Sequence, residues 1–203
     1  MIAIIDYGVG NLFSLRSSLA MIGAEAVVTG EADALRAADR LLLPGVGAFG
    51  DARRKLAQGG LDALIAQQAA QGKPLLGVCL GMQMLFERSF EYGEHEGLGL
   101  IPGQVVPMAG RLSPGLKIPH IGWNALSIAR PDHPLMKNVR EGDCVYFVHS
   151  FCAEDCGEHT VATAEYGMRV TAAVARGNVM GCQFHPEKSG EVGLNILRAF
   201  CEV

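Results

Sequence analysis

A chain of 203 residues, 49% hydrophobic and 19% charged, can build one sizeable core without cross-links, burying roughly 70% of its unfolded surface. That composition argues against disorder, and a net charge of −4 with scattered basic residues gives no electrostatic case for a nucleic-acid partner. There is no apolar run of about 18 residues, so no membrane-spanning helix is expected. We expect one domain over residues 1–203.

In chain order, the apolar run from Ile2 to Asp6 predicts a first strand. The glycine-rich loop Tyr7-Gly8-Val9-Gly10-Asn11 leads into a helix from about Leu12 to Ile22, stopped by Gly23. A dinucleotide fingerprint fails here, because Phe13 stands in the third glycine's place. Strands are expected at Glu25–Val28 and Arg40–Leu43, with a short helix at Asp33–Ala38 between them. The loop Pro44-Gly45-Val46-Gly47-Ala48-Phe49 follows, then helices at Asp51–Gln58 and Leu61–Gln71 and a buried strand at Leu75–Val78. Alternation of this kind implies a parallel sheet with helices on both faces, whose ligands collect at the C-terminal strand edge.

After Glu87 the pattern changes. Ser89–Gly99 reads as a loop, and Pro102, Pro107, Pro114 and Pro119 punctuate short strand-like pieces. Val145–Val148, Thr160–Glu165, Thr171–Ala175 and Asn178–Phe184 read as strands, and Gly190–Glu202 as a closing helix.

The junction after Leu75–Val78 carries the chemistry. Gly77-Val78-Cys79-Leu80-Gly81 is a Gly-x-Cys-x-Gly version of the nucleophile elbow, followed by helix-forming residues to Glu87. Only small residues fit beside such a turn. It sets the thiol at a helix N-terminus, where the dipole favours thiolate, and aims the Leu80 N–H at the oxygen of a carbonyl under attack. A buried core cysteine after a glycine-rich turn is the plainer reading; two flanking glycines shift the odds, and a base must decide. His185-Pro186-Glu187 supplies one: His185 follows a strand, Pro186 stiffens the bend, and Glu187 is placed to hold the imidazole.

The remaining cysteines, Cys144, Cys152, Cys156, Cys182 and Cys201, do not read as a disulfide framework. Met1-Ile2-Ala3-Ile4-Ile5-Asp6 does not read as a signal peptide, so reduced thiols in a cytoplasmic protein are expected. Cys152 and Cys156 with His149 and His159 lack the second cysteine pair of a zinc site, and no metal is expected.

The Gly77–Gln83 run and His185-Pro186-Glu187 resemble the class I (triad) glutamine amidotransferases. Asp6–Asn11, Pro44–Phe49, Pro119-His120-Ile121-Gly122-Trp123-Asn124, Tyr146-Phe147-Val148-His149-Ser150 and Gln183–Ser189 are similar to the branch that serves imidazole glycerol phosphate synthases of histidine biosynthesis. Phe151 departs from the Tyr more usual after His-Ser, which removes a hydroxyl there.

The resemblance implies an α/β fold with an open, mostly parallel central sheet, helices on both faces and a small antiparallel β part. It implies hydrolysis of glutamine to glutamate and ammonia by Cys79, His185 and Glu187. Leu80 and the Val46–Gly47 backbone would form the oxyanion hole. Gln83, Glu91, Gly47 and Tyr146 would bind glutamine. No cofactor is implied. The partner would be a (β/α)8-barrel cyclase subunit in a heterodimer, met by Asn11, His120, Trp123, Asn124 and Lys188, with Trp123 in a loop. His120 and His149 have no adjacent carboxylate and read as structural or interface residues rather than the base. Alternatives are a glutaminase subunit of an anthranilate, aminodeoxychorismate or pyridoxal phosphate synthase, or a non-catalytic binding subunit on the same fold.

Overall fold

A computed structural model describes residues 1–203. In the first half strands alternate with helices, two of which stand between the third and fourth strands: β1 (Ile2–Ile5), α1 (Leu12–Met21), β2 (Ala26–Thr29), α2 (Ala32–Ala37), β3 (Arg40–Leu43), α3 (Phe49–Gln58), α4 (Leu61–Ala70) and β4 (Leu75–Val78). A single turn, α5 (Leu80–Gln83), follows, then β5 (Arg88–Ser89), β6 (His95–Glu96) and β7 (Gln104–Pro107). The second half is mostly strand: β8 (His120–Ile128), β9 (Cys144–His149), β10 (Phe151–Glu154), β11 (Thr160–Glu165), β12 (Arg169–Arg176) and β13 (Val179–Cys182), closed by α6 (Gly190–Glu202).

Nine strands form one sheet in the order β2-β1-β3-β4-β13-β12-β11-β8-β9. The first five are parallel, and the last four extend the same sheet antiparallel. The expected antiparallel part is therefore divided between this extension and a second sheet, β10-β7-β5-β6. Strand alternation divides the core in two. Ile2, Ile4, Leu42 and Leu76 face Leu15 and Leu19 of α1 and Ile196, Leu197 and Phe200 of α6. Ala3, Ile5, Leu41, Leu43 and Leu75 face Ala52 and Leu56 of α3 and Leu64 and Ile65 of α4. Both faces of the parallel strands are covered, which is why they read as unbroken apolar runs.

Three sequence expectations need correction. The helix after Cys79 ends at Gln83 rather than Glu87, because the 98–100 segment takes the next carbonyls: Leu98 N–H donates to Met84 O, Leu100 N–H to Leu85 O and Gly99 N–H to Phe86 O. Trp123 lies on β8, not in a loop. The 89–99 stretch is not all loop; Ser89 pairs with His95 across β5 and β6.

The parallel pairing of β13 with β4 places the site. Cys182 is the register partner of Val78, and the Cys79 N–H donates to the Cys182 carbonyl at 2.8 Å. Residues following the two strands, Cys79 and His185, thus leave the sheet at the same edge.

Candidate active site

Cys79 has φ 54° and ψ −112°, a left-handed backbone conformation uncommon for a side chain other than glycine. The turn is tight because three glycines let backbone segments touch. A Cβ on Gly77 would lie 2.7 Å from Gly81 O, and one on Gly45 2.7 Å from Gly81 N. A Cβ on Gly81 would overlap the Leu43 carbonyl oxygen. The glycines beside Cys79 therefore close the gap between elbow and β3, and α5, being one turn long, adds less dipole than a full helix would.

Against Cys79 stands His185, only 3% exposed. Its Nδ1 is 2.8 Å from Glu187 Oε1, across the short turn Pro186–Lys188, and it lines the same cavity wall as Cys79. Glu187 Oε2 is buried without a partner, so His185 is the carboxylate's only hydrogen-bond partner. Burial pulls the imidazole down, but the hydrogen bonds to Cys79 and Glu187 and their charges outweigh it, taking His185 up to about 9. The arrangement favours an imidazolium between two acceptors at neutral pH.

That shift sets a pH dependence. With its folded value above its unfolded one, His185 contributes stability that is present in full below pH ~6.5 and lost as pH rises through about 9, up to about 3 kcal/mol. Denaturant midpoints at pH 6.5 and pH 9 should differ less in Glu187→Gln than in the unaltered chain, and glutaminase turnover should fall roughly a hundredfold or more. An unchanged difference would separate Glu187 from the imidazole.

Cys79, Leu80, Val46, Gly47, Gln83, Glu91 and His185 line one cavity of about 390 Å³, a size suited to a small polar molecule. Gly47 is left-handed (φ +90°), and Val46 is partly exposed at the rim. Their loop is anchored by the buried Tyr7 hydroxyl, which donates to Pro44 O at 2.7 Å. Burial, together with the charge of Cys79, raises Tyr7's proton affinity and keeps the phenol neutral. Glu91 is no solvated loop acid: its Oε2 accepts the Phe49 N–H at 2.6 Å at the start of α3, and burial raises its pKa. Gln83 is buried, and its Nε2 donates to Phe151 O and Gln183 Oε1, both at 3.0 Å.

Other candidates lie elsewhere. Tyr146 is not among the residues lining the cavity; it is the register partner of Trp123 on β8 and packs edge-on to it at 6.0 Å. The Lys188 ammonium lies 5.7 Å from the Tyr146 ring centroid and also borders the cavity, so the aromatic pair adjoins the mouth without entering it. His120 is fully buried and unavailable to a partner surface. It stacks on Tyr166 at 3.9 Å and meets His149 and Asn124 through hydrogen bonds. Alternation along β8 explains this: His120 and Asn124 share the inner face, whereas Ile121 and Trp123, 56% and 55% exposed, share the outer one. Asn124 is half-buried, its Nδ2 donating to Glu165 O. Asn11 caps α1 by position but makes no side-chain cap bond. His149 lines the cavity, donates from Nδ1 to Phe151 O, and burial lowers it to about 4, so it is neutral at pH 7.

Sequence reasoning missed Tyr7, Ile121 and Gln183. Gln183 is wholly buried, with Nε2 3.8 Å from Cys79 Sγ. Tyr7 and Gln183 become visible only once strand pairing is known.

The model of the family described as "Glutamine amidotransferase class-I" matches residues 3–202. The chain belongs to the class-I glutamine amidotransferase family. Curated relatives include the imidazole glycerol phosphate synthase subunit HisH of Wolinella succinogenes, 48% identical over 100% of both chains. The same-named protein of Bacillus licheniformis is 50% identical over 98% of this chain and 95% of its own. Among solved structures, one titled "Crystal structure of glutamine amidotransferase" shares the amidotransferase fold at TM-score 0.76 and 20% identity, covering 99% of this chain and 97% of its own. The "Structure of PurLQS from Thermotoga maritima" does so at 0.74 and 24%, covering 99% and 97%.

Proposed function

We propose that the chain is the glutaminase subunit of an imidazole glycerol phosphate synthase, a single cytoplasmic domain over residues 1–203 that hydrolyses glutamine and hands the ammonia to a (β/α)8-barrel cyclase subunit. The observation that carries this reading is the buried Cys79–His185–Glu187 chain at the cavity edge, in a protein nearly half identical over its whole length to subunits of that synthase.

Cys79 thiolate attacks the side-chain amide carbon of glutamine, and the tetrahedral oxyanion is held by Leu80 N–H and the Val46–Gly47 backbone. The His185 imidazolium protonates the departing nitrogen, and ammonia leaves. His185, now neutral, takes a proton from water, whose oxygen cleaves the thioester to glutamate and free Cys79. Glu187 keeps the imidazole in one orientation and balances its charge. Gln83 and Glu91 grip the amino-acid end of the substrate. No step draws on a metal or cofactor. Ammonia reacts as neutral NH3, so transfer inside a heterodimer protects it from protonation by water. In the cyclase it converts the phosphoribulosyl-formimino aminoimidazole carboxamide ribonucleotide to imidazole glycerol phosphate and an aminoimidazole carboxamide ribonucleotide.

The partner face is the rim formed by Trp123, Ile121, Lys188 and Asn11, beside the cavity mouth. Trp123 is its anchor, since a large exposed aromatic on a rigid strand suits a hot spot. Titration with the cyclase subunit tests this: a 1:1 complex is expected, with Kd rising roughly thirtyfold or more for Trp123→Ala. Absence of a complex would discard the pathway assignment.

A further inference from the structure

We propose that Gln183 is a positioning residue for glutamine hydrolysis, which fixes the amide of Gln83 toward the substrate and donates a hydrogen bond to the Cys79 sulfur. The proposal rests on the glutaminase reading of the site.

Donors and acceptors fix the orientation of both amides. The Phe151 carbonyl can only accept, and the Gln83 amide group 3.0 Å from it is therefore its nitrogen. The second hydrogen of that nitrogen goes to Gln183 Oε1 at 3.0 Å. With both hydrogens committed, Gln83 Oε1 is the atom left for the cavity, an acceptor suited to the ammonium group of an amino acid. A flipped Gln83 would set its oxygen against the Phe151 carbonyl and aim a donor at that ammonium.

The same logic passes to Gln183. Its oxygen is held by Gln83, so its nitrogen faces the sulfur, 3.8 Å away. Its backbone is held as well, because Gln183 N–H donates to Ala172 O at 2.8 Å. The residue is 0% exposed, so no water competes for either group. An N–H donor in a dry site stabilises charge on sulfur. One side chain thus ties substrate recognition to the nucleophile. Phe151, which departs from the expected Tyr, contributes its carbonyl oxygen, which accepts from both Gln83 and His149.

Two variants separate the two bonds. Gln183→Met loses both; Gln183→Glu keeps the acceptor for Gln83 and loses the donor to sulfur. With the cyclase subunit present, Gln183→Met should raise the KM for glutamine about tenfold, whereas Gln183→Glu should leave it within about twofold and lower kcat about tenfold or more. The rate at which iodoacetamide alkylates Cys79 at pH 7 should fall in both, by about fivefold or more. Circular dichroism and thermal unfolding check the fold; if Gln183→Met does not fold, the KM-against-kcat split of Gln183→Glu decides. Equal KM increases in both variants, or alkylation at the unaltered rate, overturn the proposal. The alkylation arm needs neither glutamine nor partner. An unaltered chain that releases no glutamate with the cyclase would overturn the glutaminase reading, while the alkylation result would still test the contact with Cys79.

Discussion

Cys79→Ala should lower glutamate release by roughly four orders of magnitude or more, while the complex with the cyclase subunit keeps its use of free ammonia. The sulfur is the one atom in the cavity able to form the thioester, and its neighbours Gln83, Glu91 and Leu80 can bind glutamine without it. Alanine adds no bulk at the elbow and tolerates the same φ of 54° no worse than cysteine does. The fold and partner surface therefore survive, and the loss falls on the chemical step. A coupled assay for glutamate, run beside product formation from ammonium salts, reads both. Retention of more than about 1% of turnover would remove Cys79 from the nucleophile's role.

Gly81→Ala should be strongly damaging to stability, costing more than about 3 kcal/mol. The added methyl group would overlap the Leu43 carbonyl of β3, and 3.2 Å away lies the Pro44 backbone. Neither obstacle is a side chain that can turn aside, so relief requires moving β3 away from the elbow. That would also displace the Pro44–Gly47 loop across the cavity. Gly72→Ala is the control: it has a positive φ of 88° but nothing within 4 Å of an added Cβ, so its cost is about 1 kcal/mol. Urea midpoints compare the two. Similar losses would mean that backbone conformation, not the close approach, makes Gly81 necessary.

Much of this arrangement was legible in the sequence. Arg40–Leu43, Leu75–Val78, Thr160–Glu165 and Gly190–Glu202 are read at their observed bounds, because buried runs and one amphipathic helix declare themselves locally. Cys79, His185 and Glu187 stand out by glycine spacing and by the His-Pro-Glu bend, and the β4–β13 pairing brings them together. What local pattern does not carry is register. That Tyr146 pairs across the strands with Trp123 is one such feature. His120 and Trp123 sit three residues apart on one strand, and alternation sends one inward and the other out. The early end of α5 is likewise a tertiary effect, imposed by the 98–100 segment on residues whose own propensity is helical. Gln183 and Cys79 meet only across two neighbouring strands, a contact no short motif encodes.

The outer rim and the cavity wall are joined through the same register. The exposed Trp123 and the buried His120 belong to one strand, and His120 reaches His149 at the cavity wall through a 3.0 Å hydrogen bond. The rim and the cavity thus share β8 and β9.

Glutamate release from glutamine, measured for the isolated chain and again with the cyclase subunit and its nucleotide substrate, decides both the reaction and the pathway. Strong stimulation in the complex, abolished by Cys79→Ala, is expected. Glutaminase activity indifferent to the cyclase would contradict the pathway assignment, and no release in either condition would contradict the enzyme itself.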